Sequence, residues 1–286
     1  MSIKVNNLSY IYDEGMPFET IALDNIDFEI SEGEFIGLIG HTGSGKSTLI
    51  QILDGLLKPS KGKVLINNKN IFEKNENSKK MRKKIGLVFQ YPEHQLFEET
   101  IYKDISFGPK NLGLDKDEIN KRVCESMDLV GLEFEKYKDI SPFELSGGQK
   151  RRAAIAGVLA MDPDVLILDE PTAGLDPKGR DEILNQIKKM NEKKNKTVIL
   201  VSHSMEEIAN LVNRLIVLSK GKKVLDGSVR DVFKKADLLK KIGLGVPQIT
   251  KLINKLNEKG FQFEDTILTV DEAKRLILSK IGGSYD

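Results

Sequence analysis

The chain has 286 residues, of which 40% are hydrophobic and 30% charged, a composition typical of a globular protein with one large domain and a small addition. Its 44 basic residues nearly balance its 43 acidic residues, so charge gives no reason to expect non-specific binding to nucleic acid. No window approaches the roughly 20 apolar residues that span a bilayer, and residues 1–12 lack the apolar core of a signal peptide. We therefore expect a chain that does not cross a membrane by itself and that would serve one from the side.

The one cysteine, Cys124, lies in a predicted helix at residues 120–127. A lone thiol cannot form an internal disulfide, which favours a reducing compartment. A catalytic cysteine is the alternative, but no activating histidine stands beside it in the sequence.

The first predicted elements are strands and one helix. Residues 2–10 and 22–30 alternate polar and apolar side chains around a turn-forming segment at 13–17, which predicts two strands. Residues 34–39 form a compact apolar run that predicts a buried central strand. A glycine-rich turn follows, and then a helical pattern at residues 46–57 that Lys58 and Pro59 close.

The glycine-rich turn fits G-x-x-x-x-G-K-[ST], the pattern of a phosphate-binding loop. Its glycines let backbone N–H groups approach phosphates, and the following helix directs its positive N-terminal end at the same anion. Lys46 would supply a charge to the β- and γ-phosphates, and the Ser47 hydroxyl would bind Mg²⁺. The predicted contacts with the nucleotide are Gly40, His41, Thr42, Gly43, Ser44, Gly45, Lys46, Ser47 and Thr48.

Short apolar runs and helical patterns alternate through most of the remaining chain, which predicts a largely parallel sheet flanked by helices. The runs lie at residues 64–66, 85–89, 165–168, 197–201 and 215–218, and the clearest helix at 177–194. Residues 98–141 differ, because they indicate consecutive helices without strands. After about residue 227 the pattern predicts short helices at 247–259 and 271–280, around residues 261–270. Residues 74–84 are rich in Lys, Asn and Glu, which favours a solvated face over a nucleic-acid patch.

Two acids, Asp169 and Glu170, end the apolar run at residues 165–168. Successive strand residues point to opposite faces, so the two carboxylates can hold different roles. We expect Asp169 to bind Mg²⁺ directly or through water, and Glu170 to polarise the water that attacks the γ-phosphate. Such a pair is a weak signal alone and a strong one after a phosphate-binding loop.

The sequence Leu-Ser-Gly-Gly-Gln at residues 145–149 resembles the distinguishing motif of the ABC ATPase family, and the resemblance covers about residues 1–230. Here Ser146 and two glycines open a predicted helix to about residue 160, forming a second anion-binding helix N-terminus. The resemblance implies two subunits packed head to tail, with ATP between the phosphate-binding loop of one and this motif of the other. The implied contacts with the facing nucleotide are Ser146, Gly147, Gly148 and Gln149.

Other positions match that family. Gln90 matches the glutamine that senses Mg²⁺ and the membrane partner, Asp176 the loop that crosses the dimer interface, and His203 the histidine that contacts the γ-phosphate. The resemblance thus implies catalytic roles for Glu170, His203 and Gln90, and Mg²⁺ binding by Ser47, Gln90 and Asp169. Tyr12 lies where the family places a ring stacked on adenine, with Tyr10 as a competitor. By position alone, His203 could cap or pack a strand end, His41 could contribute only its backbone, and His94 could simply be exposed.

The implied fold is α/β: a P-loop NTPase core with a parallel sheet, an antiparallel β N-terminal subdomain and a helical subdomain at about residues 92–160. A small α+β C-terminal extension at residues 231–286 follows the ATP-binding domain at 1–230, as a module for dimerisation or a partner. Residues 90–100, 143–152, 156–161 and 245–273 are similar to the ATPases of energy-coupling factor transporters, which import cobalt or vitamins. Residues 40–43 and 91–94 favour the second of that group's two ATPases.

That resemblance implies ATP and Mg²⁺ as cofactors, a location on the cytoplasmic face of the cell membrane, and three kinds of partner. These are a sister ATPase (or a second copy), an integral coupling protein and substrate-binding membrane subunits. ATP binding would close the dimer, and hydrolysis would reopen it. The groove beside Gln90, Leu96 and Phe97 is the expected docking place for the coupling protein, unless the last two residues belong to the core.

Three other functions remain open from sequence. The chain could serve a different ABC importer or an exporter. It could act in translation, DNA repair or chromosome structure, although it has one cassette and no sustained heptads between residue 90 and the signature. A non-enzymatic regulatory binder is disfavoured, because every catalytic position of the family pattern is present.

Overall fold

Two β-sheets and a set of helices organise residues 1–261, 263 and 266–281, which a computed structural model describes. Alternation of apolar and polar residues predicted the first two of these strands, and short apolar runs predicted most of the others. They are β1 (Ile3–Tyr12), β2 (Thr20–Ile30), β3 (Phe35–Ile39), β4 (Lys61–Ile66), β5 (Lys69–Asn70), β6 (Ile85–Val88), β7 (Val165–Asp169), β8 (Thr197–Val201), β9 (Arg214–Ser219) and β10 (Lys222–Ser228).

The helices begin mostly at side chains that accept a backbone N–H, as at Asn75, Thr100, Asp115, Ser146 and Asp176. They are α1 (Lys46–Asp54), α2 (Glu76–Arg82), α3 (Ile101–Asn111), α4 (Lys116–Leu129), α5 (Phe134–Tyr137), α6 (Gly147–Leu159), α7 (Pro177–Lys194), α8 (Met205–Leu211), α9 (Val229–Lys234), α10 (Ala236–Lys241), α11 (Gln248–Glu258) and α12 (Val270–Ile281). Two 3₁₀ turns lie at Pro92–Gln95 and Pro142–Glu144. None of the helices in the described ranges has the length and apolar character needed to cross a membrane.

The larger sheet has the strand order β10-β9-β3-β8-β7-β6, and all its pairings are parallel except that of β10 with β9. This confirms the predicted parallel sheet. Alternate residues of its strands enter different cores: Leu166 and Leu168 pack with the helices of residues 101–159, whereas Val165 and Ile167 pack with α1 and the smaller sheet. The sheet therefore separates two apolar layers, and its carboxyl edge lies between them.

The smaller sheet is antiparallel, with the order β2-β1-β4-β5. Its presence confirms the antiparallel N-terminal subdomain. The run at residues 64–66 belongs to this sheet, so our placement of it among the strands of the parallel sheet was wrong. The reason is visible in its burial, since Val64 and Ile66 are buried while Leu65 is half-buried and the preceding lysines are exposed. One buried face is typical of an antiparallel sheet, and a short apolar run does not reveal its partner.

Helix α1 ends at Asp54, three residues before the predicted end. Gly55 adopts a left-handed conformation, with φ at 86°, and donates its N–H to the carbonyls of Gln51 and Ile52. That geometry stops the helix before Lys58 and Pro59 are reached. Helices also fill residues 101–137, as predicted for the helical subdomain, and strand β10 was not predicted because charged residues interrupt its apolar pattern.

The C-terminal extension consists of helices among its described residues, and no strand occurs there. Phe263 and Ile267 fill a small core with α11 and α12, so the apolar residues that favoured β structure pack between helices instead. Residues 262, 264, 265 and 282–286 of this predicted module lie outside the described residues. Phe233 and Leu239 join the main core, so the proposed division between residues 230 and 231 stays a prediction.

Asp54 supports a prediction about stability. Burial raises the pKa of its carboxyl from 3.8 to about 6, and the group stands at the C-terminal, negative end of α1. The folded chain therefore holds this proton more tightly than the unfolded chain. The resulting stabilisation is full below pH 3.8 and is lost as the pH rises through about 6.

We expect Asp54→Asn to raise the free energy of unfolding by about 2 kcal/mol at pH 8, with the gain shrinking as the pH falls below 6. Urea unfolding of both proteins at pH 5 and pH 8 measures this difference. Asp237→Asn, at an exposed aspartate in the first turn of α10, is the control substitution. A gain that is equal at both pH values would contradict the assignment.

Candidate functional site

A cleft of about 580 Å³ opens at the carboxyl edge of the larger sheet. Helix α1 contributes its N-terminus, and the chain just beyond β6, β7 and β8 supplies polar side chains, as expected where parallel strands end together. The lining residues are Tyr12, Thr20, Ile21, Ala22, Thr42, Gly43, Ser44, Gly45, Lys46, Ser47, Thr48, Gln90, Asp169, Glu170 and His203. The structure thus brings together residues that sequence motifs had placed in five separate segments.

The glycine-rich turn needs glycine at two of its positions. Gly43 and Gly45 have φ values of 77° and 102°, and a Cβ at Gly45 would lie 2.5 Å from the Ala22 carbonyl oxygen. The buried hydroxyl of Ser44 lines the cleft and has no hydrogen-bond partner among the described residues. A turn of this shape at a helix N-terminus, with an unpaired hydroxyl, fits a phosphate ligand.

Lys46 is 7% exposed, and its Nζ donates to the carbonyls of Gly40 at 2.6 Å and His41 at 3.2 Å. Burial lowers the pKa of this amine, and the negative charges of Glu170 and Asp169 oppose that effect. Gly40 and His41 do not line the cleft. Their carbonyl groups accept from the Lys46 ammonium, and the predicted contacts of Gly40 and His41 with the nucleotide stay predictions.

The chain leaves the strand between the two acids. Asp169 is the last residue of β7, whereas Glu170 is left-handed, with φ at 50°, and its N–H donates to the Val201 carbonyl at 2.9 Å. Both acids line the cleft. His203 Nε2 lies 2.7 Å from Glu170 Oε1, so the residues after β7 and β8 form a pair in the cleft.

The pKa of Asp169 is raised to about 6, mainly by burial and then by the negative charge of Glu170, while Lys46 and His203 partly oppose this rise. Carboxylates that share a buried site in this way suit a divalent cation, whose charge would favour their ionised forms. Ser47, Gln90 and Asp169 line the same cleft, and oxygen atoms are the ligands that Mg²⁺ prefers. The residues present fit this ion.

Two tyrosines, Tyr12 and Tyr10, are candidates for stacking on the adenine ring of a nucleotide. Tyr12 lines the cleft, is 39% exposed, and its hydroxyl lies 3.2 Å from Thr48 Oγ1. Tyr10 packs on the core and meets the Tyr12 ring edge-on at 4.8 Å between centroids. The geometry favours Tyr12 as the ring that a base would stack on, with Tyr10 supporting it.

We expect Tyr12→Ala to raise the KM for ATP about 10-fold, because stacking on an aromatic ring contributes about 1–3 kcal/mol per base. Tyr12→Phe keeps the ring face and should stay within about 2-fold of wild type. Steady-state hydrolysis over a range of ATP concentrations measures both effects. An unchanged KM for Tyr12→Ala would move the role to Tyr10.

Residues 145–149, the Leu-Ser-Gly-Gly-Gln motif that we call the signature, do not line this cleft in their own chain. Ser146 caps α6, since its Oγ accepts from the Gln149 N–H at 3.4 Å while Gln149 Oε1 accepts from the Ser146 N–H at 2.9 Å. Ser146 and Gly147 are exposed, so the helix presents its N-terminus to solvent. Asp176 likewise caps α7 through the Gly179 N–H at 2.9 Å. The two predicted anion sites of the chain are thus separate.

Sequence motifs missed Thr20, Ile21 and Ala22, which line the cleft from the start of β2. The register of the β1–β2 hairpin could have revealed these residues, because Tyr12 pairs with Thr20 and Ile11 with Ile21. Of the weaker candidates, His94 is exposed and stacks on Tyr91. Burial raises the pKa of the Cys124 thiol, which disfavours a catalytic cysteine.

Comparison with known proteins gives similarity over nearly the whole chain. The family described as ABC transporter matches residues 23–173. The Energy-coupling factor transporter ATP-binding protein EcfA2 of Clostridioides difficile is 62% identical over 284 residues, covering 99% of each chain. Its counterpart from Clostridium tetani is 59% identical over 278 residues, covering 97% of this chain and 96% of the relative.

Two solved structures resemble the fold. The structure of cbiO1 from Clostridium perfringens, part of the ABC transporter complex cbiONQ, has a TM-score of 0.74 and 41% identity, covering 88% of this chain and 98% of that one. A dimeric, post-hydrolysis state of the ATP-binding cassette MJ0796 bound to ADP and Pi has a TM-score of 0.71 and 34% identity, covering 80% and 99%.

Proposed function

The chain belongs to the ABC transporter family of ATPases, and from this we propose that it is the ATP-hydrolysing subunit of an energy-coupling factor transporter. The cleft supports the ATPase activity, since it gathers a phosphate-binding loop, two acids and a histidine. The full-length similarity to EcfA2 proteins supports the type of transporter, and it favours this function over another importer, an exporter or a non-transport ATPase.

In the proposed mechanism, Lys46 and the N-terminus of α1 bind the β- and γ-phosphates of ATP. Mg²⁺, held by Ser47, Gln90 and Asp169, would neutralise phosphate charge when bound. The Glu170 carboxylate accepts a proton from the water that attacks the γ-phosphate. His203, 2.7 Å from Glu170, orients that carboxylate and contacts the γ-phosphate.

We propose that the nucleotide lies between two subunits. The signature at the exposed start of α6 is separate from the cleft of its own chain, so a facing subunit must supply it. That subunit would be a related sister ATPase, or a second copy of this chain. Closure brings the Ser146 segment to the γ-phosphate, and hydrolysis removes the group that bridges the subunits.

A second surface suits a membrane partner. A groove of about 370 Å³ between α3 and α6 carries Phe97 and Phe107, which are 57% and 45% exposed and lie 5.1 Å apart between ring centroids. Leu96 belongs to the core, as the alternative for this segment predicted, but Phe97 does not. We propose that cytoplasmic helices of an integral coupling protein dock in this groove, which we term the docking groove.

A partly buried ion pair joins the docking groove to α6, the helix that Ser146 caps. Arg151 of α6 is 2% exposed and donates from Nε and Nη2 to Glu93 at 3.0 and 2.8 Å, in the 3₁₀ turn that leads to the groove. Arg151 also donates to the carbonyl of Ala173, just beyond Glu170. Movement of a docked helix would thus reach the signature and the catalytic loop together.

The resulting complex would power uptake of vitamins or transition-metal ions, with the cargo chosen by separate substrate-binding membrane subunits. This chain would lie on the cytoplasmic face of the membrane as a peripheral subunit. The proposed site roles, from Tyr12 to His203, belong to this same mechanism.

Affinity purification of the tagged chain from detergent-solubilised membranes of its own cell tests the proposal. We expect a sister ATPase and a multi-helix membrane protein to co-purify. Phe97→Asp with Phe107→Asp should release the membrane protein and retain ATP binding, whereas Phe18→Asp, at a residue 84% exposed in the β1–β2 turn, should release nothing. Isolation of the wild-type chain without any membrane protein would contradict the proposal.

A further inference from the structure

Glu207 is a buried acid outside the nucleotide cleft. It lies in the first turn of α8, is 6% exposed, and is not among the residues that line the cleft. Its Oε1 accepts from the Thr172 hydroxyl at 2.8 Å, and its Oε2 accepts from the Ser202 hydroxyl at 2.6 Å. All three side chains are buried, so these bonds are shielded from water and each is costly to lose.

The two donors stand next to the catalytic pair. Thr172 follows Glu170 by two residues, and Ser202 directly precedes His203. The Ser202 hydroxyl also accepts from the Ser204 N–H at 3.0 Å, which fixes the turn that carries His203. One carboxylate therefore holds both chain segments whose side chains meet at 2.7 Å in the cleft.

A third segment approaches the same acid. Arg180, in the first turn of α7 and four residues beyond Asp176, places Nε 3.6 Å from Glu207 Oε1. This Nε is buried and has no hydrogen-bond partner within the described part of the chain. A carboxylate with two hydroxyl donors has lone pairs left for another donor. A shift of the Asp176 loop by a few tenths of an ångström would complete that bond.

We propose that Glu207 is a positioning residue for ATP hydrolysis: it holds the Glu170 and His203 loops at working distance and couples them to the Asp176 loop through Arg180. The inference rests on the proposed function in one respect, the role of Glu170 as the base. Loss of the carboxylate leaves the two hydroxyls unpaired in the interior, so the loops separate and the Glu170–His203 contact loosens.

Glu207→Gln is the sharpest variant, because it keeps the shape of the side chain but turns an amide N–H₂ toward one of the hydroxyl donors. In the assembled complex we expect kcat to fall about 10-fold or more while the KM for ATP stays within about 2-fold, since misplacement of a catalytic group acts on the chemical step. Glu258→Gln, an exposed glutamate of α11, is the matched control and should keep wild-type values.

A double-mutant comparison separates positioning from general weakening of the fold. If Glu207 acts through Glu170, then adding Glu207→Gln to Glu170→Gln should lower the single-turnover rate by a clearly smaller factor than it does in the wild-type background. An equal fold-loss in both backgrounds, or wild-type kcat for Glu207→Gln alone, overturns the inference. Failure of the proposed function is distinguishable, because Glu170→Gln alone would then turn over at the wild-type rate or the wild-type complex would hydrolyse no ATP.

A second variant guards against misfolding. Thr172→Val with Ser202→Ala removes both donors but keeps the acid, and should reproduce the kcat loss in a variant that still unfolds in one cooperative transition and still binds ATP. Normal turnover by this folded double variant also overturns the inference.

Discussion

Glu170→Gln is expected to lower steady-state ATP hydrolysis by about 10²–10⁴-fold while ATP binding stays near wild type. The glutamine keeps the size of the side chain and its left-handed backbone position, but it cannot accept the proton of the attacking water. Lys46 and the phosphate-binding loop are untouched, so the nucleotide should still bind. The hydrogen bond from the Glu170 N–H to Val201 involves only the backbone and should also survive.

Release of phosphate by the assembled complex measures turnover, and equilibrium binding of labelled ATP measures affinity. Glu192→Gln, at an exposed position of α7, serves as the control and should hydrolyse ATP at the wild-type rate. Wild-type turnover by the Glu170 variant would remove this residue as the base.

Gly148→Asp is expected to abolish ATP-induced closure of the dimer and to lower hydrolysis by about 10²-fold or more, since loss of preorganised donors to the phosphate costs that much. The variant is informative because it should not harm the isolated subunit. A Cβ at Gly148 meets Leu175 Cδ2 at 3.6 Å, which is ordinary contact, and an acid in the first turn of α6 suits the helix dipole. In a closed dimer, however, the new carboxylate would face the γ-phosphate and repel it.

Sedimentation with and without ATP, in a Glu170→Gln background that retains the nucleotide, measures closure. Gly113→Asp, in the exposed turn between α3 and α4, is an unsuitable control because its φ is 79°. Gly227→Asp is the better control, because a Cβ at Gly227 has no atom within 4 Å and the residue is far from the signature in sequence. The dimer of this variant should close normally with ATP. If the Gly148→Asp variant still formed dimers with ATP, this would contradict the proposal that the N-terminus of α6 contacts the γ-phosphate bound by the facing subunit.

Most residues that line the cleft could be predicted from local sequence motifs. Lys46, Asp169, Glu170 and His203 follow buried strands, and parallel strands deliver such residues to one edge. Contacts that depend on the register between two strands could not be predicted from the sequence. Thr20, for example, reaches the cleft only because it pairs with Tyr12 across β1 and β2. The tie from Glu207 to Thr172 and Ser202 joins segments 35 and 5 residues apart, and no motif reports a buried hydrogen bond of that kind.

Two predictions about the fold were wrong for similar reasons. A run such as residues 64–66 reveals its apolar character but not its partner strand, and the end of α1 depends on the left-handed conformation of Gly55. The roles of the site residues stay predictions, which the Glu170 and Gly148 variants test.

In the proposed mechanism two chains share one nucleotide, and a structure of the Glu170→Gln complex with ATP and Mg²⁺ would show whether they do. We expect a γ-phosphate within hydrogen-bond distance of Lys46 in one subunit and of the corresponding serine of the Leu-Ser-Gly-Gly-Gln motif in its neighbour. Ser146 of this chain should contact the nucleotide bound by the facing subunit. Phosphates contacted by a single chain, with Ser146 exposed to solvent in the nucleotide-bound complex, would contradict it.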